Sequence, residues 1–143
     1  MKVFITQSNY IPWKGYFDAI NQADVFVIYD EMQYTKNDWR NRNQIKTPNG
    51  LQWLTIPAKQ SALDQKISET EVVNSIWRKK HWKTILQNYR KAPHFEEMSE
   101  HFERLYLNDD ESNLSRINEK FINAINTQLG IKTEIRSSAN FDL

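Results

Sequence analysis

Residues 3–29 read V-F-I-T-Q-S-N-Y-I-P-W-K-G-Y-F-D-A-I-N-Q-A-D-V-F-V-I-Y. Val3 to Thr6 is a short apolar run of the kind that forms a buried strand. Ser8 or Asn9 then precedes Pro12, which suits the first turn of a helix because its missing N–H would be unpaired there anyway. Trp13, Tyr16, Phe17 and Ile20 follow at i, i+3, i+4 and i+7, one apolar stripe. Asp24 leads into Val25 to Tyr29, near-continuously apolar as expected of a strand covered on both faces. Strand, helix and strand within about 30 residues make a βαβ unit with a right-handed crossover. The fold class that follows is α/β with a small parallel sheet.

The rest of the chain extends this unit. Trp39 to Lys46, Thr47-Pro48-Asn49-Gly50 and Leu51 to Ile56 read as a hairpin with Asn-Gly in its turn. Residues 58–71 are polar and read as a loop. Three helices follow. The first spans residues 76–91, with Trp82, Ile85, Leu86 and Tyr89 on one face and Pro93 beyond its end. The second spans 95–106, with Phe95, Met98, Phe102, Leu105 and Tyr106 inward. The third spans 113–129, with Leu114, Ile117, Phe121, Ile125 and Leu129 inward, Ser112 as cap and Gly130 past its end. Residues 131–136 supply a third strand for the parallel sheet. With no repeat, linker or low-complexity tract, residues 1–143 are expected to form a single α/β domain.

Composition removes several classes. At 143 residues and 17.1 kDa the chain has the size of one domain, and its 13 % aromatic residues offset a lean 39 % apolar content. A net charge of +1 gives no field to attract nucleic acid or an anionic membrane. The absence of cysteine excludes disulfides, iron–sulfur clusters and thiolate zinc sites. The N-terminal apolar run is too short for a signal peptide, and apolar residues never run together for a membrane span. A cytoplasmic protein without membrane insertion is expected.

The chemistry is concentrated between Asp30 and Asn43, D-E-M-Q-Y-T-K-N-D-W-R-N-R-N. This run holds two arginines, three asparagines and two aspartates. It cannot build a core, because a buried polar group without a partner costs about 1–3 kcal/mol. Enclosed between a strand and a hairpin, it reads as the wall of a polar ligand site. Asp30 falls directly after the second strand, where a carboxylate can orient a ribose or amine, and Gln33 lies three residues on. It is the candidate catalytic residue. Beside it, the first strand-to-helix junction carries Gln7, Ser8, Asn9 and Tyr10 at a helix N-terminus, with Lys14 and Gly15 in the first turn. If residues 39–43 are extended, alternation places Arg40 and Arg42 on one face, about 6.5–7 Å apart, with Trp39, Asn41 and Asn43 on the other. Two planar guanidiniums at that spacing suit a phosphate or carboxylate clamp. The competing reading is a solvated edge strand guarded by charge.

Arg78-Lys79-Lys80-His81-Trp82-Lys83 invites a nucleic-acid reading. Residues 76–91, however, hold six Lys or Arg and no acid, and residues 95–111 hold seven Asp or Glu against one arginine, so antiparallel packing of the two helices would pair them. Lys79, Lys80 and His81 remain as contributors to an anionic pocket. His81, His94 and His101 never fall at i, i+4, no serine sits in a nucleophile elbow, and neither G-x-G-x-x-G nor a Walker pattern occurs. No metal site and no cofactor is named by these residues.

The order T-Q-S-N-Y-I-P-W-K-G-Y-F-D-A-I, D-V-F-V-I-Y-D-E-M-Q-Y-T-K-N-D-W-R-N-R-N-Q-I, Q-W-L-T-I-P, W-R-K-K-H-W-K-T-I and Y-R-K-A-P-H-F resembles the WbqC-like family. The resemblance spans nearly the whole chain. It implies a role in bacterial O-antigen or other surface-polysaccharide biosynthesis, with acyl or aminoacyl (glycine-type) transfer to a nucleotide-linked amino sugar. The implied partners are a small-molecule sugar nucleotide or acyl donor, and the alternative is a non-catalytic sugar-nucleotide or glycan-binding module. Family positions fall on Gln7, Tyr10, Pro12, Trp13, Gly15, Tyr16, Asp30, Gln33, Lys36, Trp39, Arg40, Asn41, Arg42 and Asn43. Family members continue past the last strand, so part of a composite site is expected to lie beyond this sequence. The opening strand, polar turn, proline helix and strand also resemble nucleotidyltransferase-like, Rossmann-like folds such as pantoate-activating ligases. Those carry a histidine in the first helix turn, where this chain has Pro12-Trp13-Lys14-Gly15-Tyr16.

Overall fold

The computed structural model describes residues 1–142. Strands β1 (Val3–Thr6), β2 (Val25–Ile28) and β5 (Glu134–Ser137) form a parallel sheet in the order β1-β2-β5. The register pairs Val3 with Val25 and Val25 with Glu134. Helix α1 (Lys14–Gln22) connects β1 to β2. Tyr16, Phe17 and Ile20 pack from it on Phe26 and Ile28, and Ile122 joins them from α4 (Leu114–Leu129). The α/β expectation holds, with the last strand starting three residues later and ending one residue later than the sequence pattern suggests.

Three details depart from that pattern. Helix α1 starts at Lys14, and Trp13 is its N-cap, 69 % exposed, instead of the first member of the buried stripe. The chain is turned before the helix by Ile11, which sits at φ 45°. Strand β1 is not buried: Val3 is 47 % and Ile5 is 58 % exposed, because the strand lies at the sheet edge. Only the Phe26 and Ile28 face of β2 is packed by helices, and the other face lines an open apolar cleft with Tyr29 and Phe141.

Strands β3 (Arg42–Thr47) and β4 (Gly50–Thr55) form the hairpin, separate from the parallel sheet. Pro48 and Asn49 make its loop, and Gly50 takes φ 106°, which a side chain would resist. Leu54 and Ile56 bury into a second core with Tyr10, Tyr34, Trp77, Trp82, Tyr106, Leu114, Ile117 and Phe121. Helices α2 (Ile76–Tyr89) and α3 (Phe95–Leu107) close this core. Leu86, Met98 and Leu129, expected inward, are exposed, and an apolar groove of about 380 Å³ stays open between α2, α3 and α4. Residues 58–71 are less loop-like than their polarity suggests. A 3-10 turn at Ile67–Glu69 buries Ile67, and bridges join Gln33 to Lys66, Ala58 to Val72 and Glu71 to Asn113. Helix α4 is capped by Asn113, not Ser112, and ends at Gly130 in the left-handed conformation. Among the described residues no helix is long and apolar enough to cross a membrane.

Candidate functional site

Asp30 is buried at the carboxyl end of β2 and collects donors from two other elements. Its Oδ1 accepts the backbone N–H of Ser8 at 2.8 Å, and its Oδ2 accepts the hydroxyls of Ser8 at 2.6 Å and Ser115 at 2.5 Å. Ser8 follows β1, and Ser115 lies in the first turn of α4. Asn118, one turn further along α4, donates to the Ser8 hydroxyl at 3.0 Å and to the carbonyl of Arg40 at 2.9 Å. Parallel pairing puts the ends of β1 and β2 side by side, so these groups meet at the sheet's carboxyl edge, where ligands of open α/β sheets bind.

Arg40 reaches the same edge. Its guanidinium donates to the side-chain oxygens of Asn9 and Gln7, the latter at 2.8 Å. Asp38 stands 3.9 Å away, and the Arg40 side chain keeps 15 % exposure. Partial burial alone would raise the Asp38 carboxyl, but the Trp39 N–H, the Thr35 hydroxyl and the charges of Arg40 and Arg42 outweigh it and hold it below its ordinary range. The Tyr16 hydroxyl donates to the Gln7 carbonyl at 2.9 Å. Burial pushes that hydroxyl's pKa well up, the Asp30 charge adds to the rise, and Arg40 opposes it.

Arg42 goes elsewhere. Residues 39–41 form a turn and the strand begins only at Arg42, so strict alternation does not apply across Arg40. The Arg42 guanidinium lies over the Trp53 ring, 4.1 Å from its centroid, and Trp39 packs against Trp53 at 5.7 Å. The expected shared face of two arginines is therefore replaced by two settings: Arg40 at the strand ends, and Arg42 within a half-exposed aromatic pair. Both arginines still act on Asp38.

The remaining predicted residues divide into struts and surface groups. Asn41 is buried, donates to the Ile56 carbonyl at 2.9 Å and accepts the Ile56 N–H on its own carbonyl at 2.7 Å. Asn43 donates to the carbonyls of Tyr10 at 3.2 Å and Ile11 at 2.5 Å. Tyr10 is fully buried, its hydroxyl 2.8 Å from His81 Nδ1 and 2.5 Å from the Tyr106 hydroxyl. Gln33 is exposed and donates to the Leu63 carbonyl. Lys14 and Lys36 are exposed. Asn41, Asn43 and Tyr10 thus seam the polar run to the first junction from behind.

Sequence reading did not find Ser115, Asn118, Glu119 or Trp53. Ser115, Asn118 and Glu119 recur at i, i+3 and i+4 beside the apolar face of α4, a second and polar stripe masked by the first. Asn118 is fully buried within a helix, a position where an amide requires partners. Glu119 is partly buried in the same region; burial raises its carboxyl above the ordinary range and the Asp30 charge adds to the rise. Two carboxylates in one environment, one filled with donors and one pushed towards its neutral form, can divide the orienting and proton-accepting tasks of a transfer reaction. Among the described residues no group of three or more His, Asp or Glu is arranged to hold a metal ion.

Residues 7–143 match the family described as the WbqC-like protein family. The chain is also 49 % identical over 143 residues to the uncharacterized protein Rv1507c of Mycobacterium tuberculosis (strain ATCC 25618 / H37Rv). That alignment covers 99 % of this chain and 62 % of the relative, so the chain spans less than two thirds of its relative's length. No solved structure matches it. The matched residues include the junction that follows β1, the end of β2 and the whole polar run from Asp30, and the chain belongs to the WbqC-like protein family.

Proposed function

We propose that this chain acts in the biosynthesis of bacterial O-antigen or related surface polysaccharides, transferring an acyl or aminoacyl group of glycine type to a nucleotide-linked amino sugar in the cytoplasm. The observation that carries the reading is the setting of Arg40. Its guanidinium is positioned by two neutral acceptors, Gln7 and Asn9, at the carboxyl end of β1 and close to the start of α1. Neutral partners fix the fork of donors, and Asp38, 3.9 Å away and itself 38 % exposed, offsets its charge only in part, which leaves the guanidinium able to meet phosphate. Half-exposed Trp39 offers a flat apolar surface of the kind on which sugars and bases stack.

In the transfer, the sugar's amine nitrogen attacks the carbonyl carbon of an activated acyl donor. The new C–N bond forms as the donor's leaving-group bond breaks, and the nitrogen gives up one proton. Asp30, its oxygens occupied by Ser8 and Ser115, orients those hydroxyls, and Glu119 is the nearby carboxylate with capacity to take the proton. The test is incubation with a panel of activated acyl and aminoacyl donors and UDP- or dTDP-linked amino sugars, read by mass. A product heavier by one acyl residue supports the reading, and its loss in Arg40→Ala ties it to this site.

One observation favours a second reading, a sugar-nucleotide or glycan-binding module without turnover: every donor to Asp30 is internal, so the carboxylate is already satisfied. Binding without product across the whole panel, in a relative of full length, supports the module.

A further inference from the structure

We infer that the trough between β4 and residues 80–87 of α2 is a second ligand site, one that takes the phosphoryl groups of a small phosphorylated molecule. The trough encloses about 500 Å³, and Trp53, Thr55, Lys80, His81, Lys83 and Gln87 line it. A smaller cleft of about 200 Å³ continues it past Thr55, Lys80 and His81 to Asn74 and Trp77. No carboxylate lines either part. The site is distinct from the Arg40 junction and stands whether or not the transferase reading does.

The charge distribution of α2 is what requires explanation. Helix N-termini carry a partial positive charge and favour acids, yet the first turn of α2 has none. Arg78, Lys79 and Lys80 crowd its N-terminal half instead, with Lys83 just beyond. The acidic helix α3 does not answer them: among the described residues no ion pair joins α2 to α3. Arg78 is buried and spends its guanidinium on the carbonyls of Leu105 and Glu111, each at 2.9 Å. Lys80 and Lys83 turn towards β4 and make no ion pair among the described residues.

A second observation points the same way. Trp77 lines the inner cleft, and its buried indole N–H has no acceptor among the described residues. Buried donors are ordinarily paired. Two ammonium groups one helical turn apart and the unpaired Trp77 N–H form a set of donors that meet no acceptor among the described residues. Such a set complements an anion rich in acceptor oxygens. The spacing of Lys80 and Lys83, about 5–6 Å between Cβ atoms, matches neighbouring phosphoryl groups better than a single carboxylate. Its small volume and the chain's net charge of +1 favour a small ligand over a nucleic acid.

The probe is inorganic pyrophosphate, titrated into the whole chain and followed by amide chemical shifts and calorimetry. The expected result is saturable binding with shifts at residues 52–55 and 77–87. The double variant Lys80→Ala/Lys83→Ala weakens it by about tenfold or more, with an unchanged melting temperature because both side chains are exposed. Lys80→Arg/Lys83→Arg retains binding, and Arg40→Ala leaves the shifts at residues 52–55 and 77–87 unaltered. The inference is overturned if pyrophosphate does not bind at millimolar concentration, or if the alanine double variant binds as well as the parent. It is equally overturned if the shifts fall only on residues 7–16 and 39–43. Tighter binding of a single-stranded RNA, with a salt dependence steeper than two phosphate contacts give, assigns the patch to nucleic acid instead.

Discussion

Asn43 holds Ile11 in the left-handed region. The side-chain amide of Asn43 donates to the carbonyls of Tyr10 and Ile11, and Ile11 sits at φ 45°, a conformation that costs a β-branched residue about 1–3 kcal/mol. The same amide's oxygen accepts the N–H of Gln44 at 2.8 Å, so one side chain locks the start of β3 to the turn before α1. The Tyr10 N–H donates to the Trp39 carbonyl at 3.1 Å and closes the seam from the other side. This seam delays α1 until Lys14 and presents Gln7 and Asn9 to Arg40.

Asn43→Ala should therefore loosen both partners of the seam. Losing two partly buried hydrogen bonds and the restraint on Ile11 is expected to cost about 1–3 kcal/mol in urea denaturation. The variant should also weaken ligand binding at the junction although Asn43 itself faces away from it. A variant as stable as the parent would show that the turn is held by Tyr10 and Trp39 alone.

The buried chain His81–Tyr10–Tyr106 gives the fold a pH dependence. His81 Nε2 lies 3.0 Å from the Thr55 carbonyl, which can only accept, so Nε2 carries the proton and Nδ1 accepts from Tyr10. The Tyr106 hydroxyl then donates to Tyr10. Burial holds the imidazole neutral and lowers its pKa from 6.5 to about 4, the Thr55 carbonyl opposing in part. Because the folded value is the lower one, the unfolded chain binds more protons between these limits. Stability is full above pH 6.5 and falls as the pH drops towards 4, by about 2 kcal/mol between pH 7 and 5. Denaturation midpoints across that range check it, and His81→Gln should flatten the slope.

Arg40→Ala and Arg42→Ala should behave differently. Arg40 is bonded to the two side chains that follow β1, so its loss is expected to abolish binding of a sugar nucleotide at a stability cost of about 1–2 kcal/mol. Arg42 lies over a half-exposed indole, a contact worth about 0.5–1 kcal/mol. Its loss should change tryptophan fluorescence through Trp53 and weaken binding only partly. Equal loss of binding in both variants would restore the shared clamp that alternation suggested.

The sequence disclosed what depends on short-range pattern. Apolar period and proline punctuation located the βαβ unit, the hairpin and three helices, because each buries a face that its own residues define. Asp30 and Arg40 were legible because a polar run between two folded elements must be satisfied somewhere. Asn41 and Asn43 stood out for the same reason, but pattern does not distinguish an amide that meets ligand from one that braces backbone. The exposed Trp13 and the separation of Arg40 from Arg42 both arise from turns, at Ile11 and at residues 39–41, which no periodicity announces. Ser115, Asn118 and Glu119 come from far along the chain, and only packing brings α4 to the ends of β1 and β2.

Glu119→Gln separates the stability and the chemistry of that last group. Burial and the Asp30 charge raise the folded-state pKa of Glu119, so the protonated form is the one the fold prefers. A raised carboxyl pKa contributes stability below its unfolded value and loses it as pH rises through the folded value. At pH 7 the parent therefore carries an unfavourable charge that glutamine lacks, and Glu119→Gln should melt higher than the parent. Near pH 4 the parent is largely protonated and the difference should vanish. If Glu119 takes the amine's proton, the same variant should lose kcat while KM for the amino sugar stays near the parent value, since the neutral amide keeps the shape of the site. A variant that melts higher and still turns over at the parent rate would leave Glu119 as a packing residue and return the proton to Asp30.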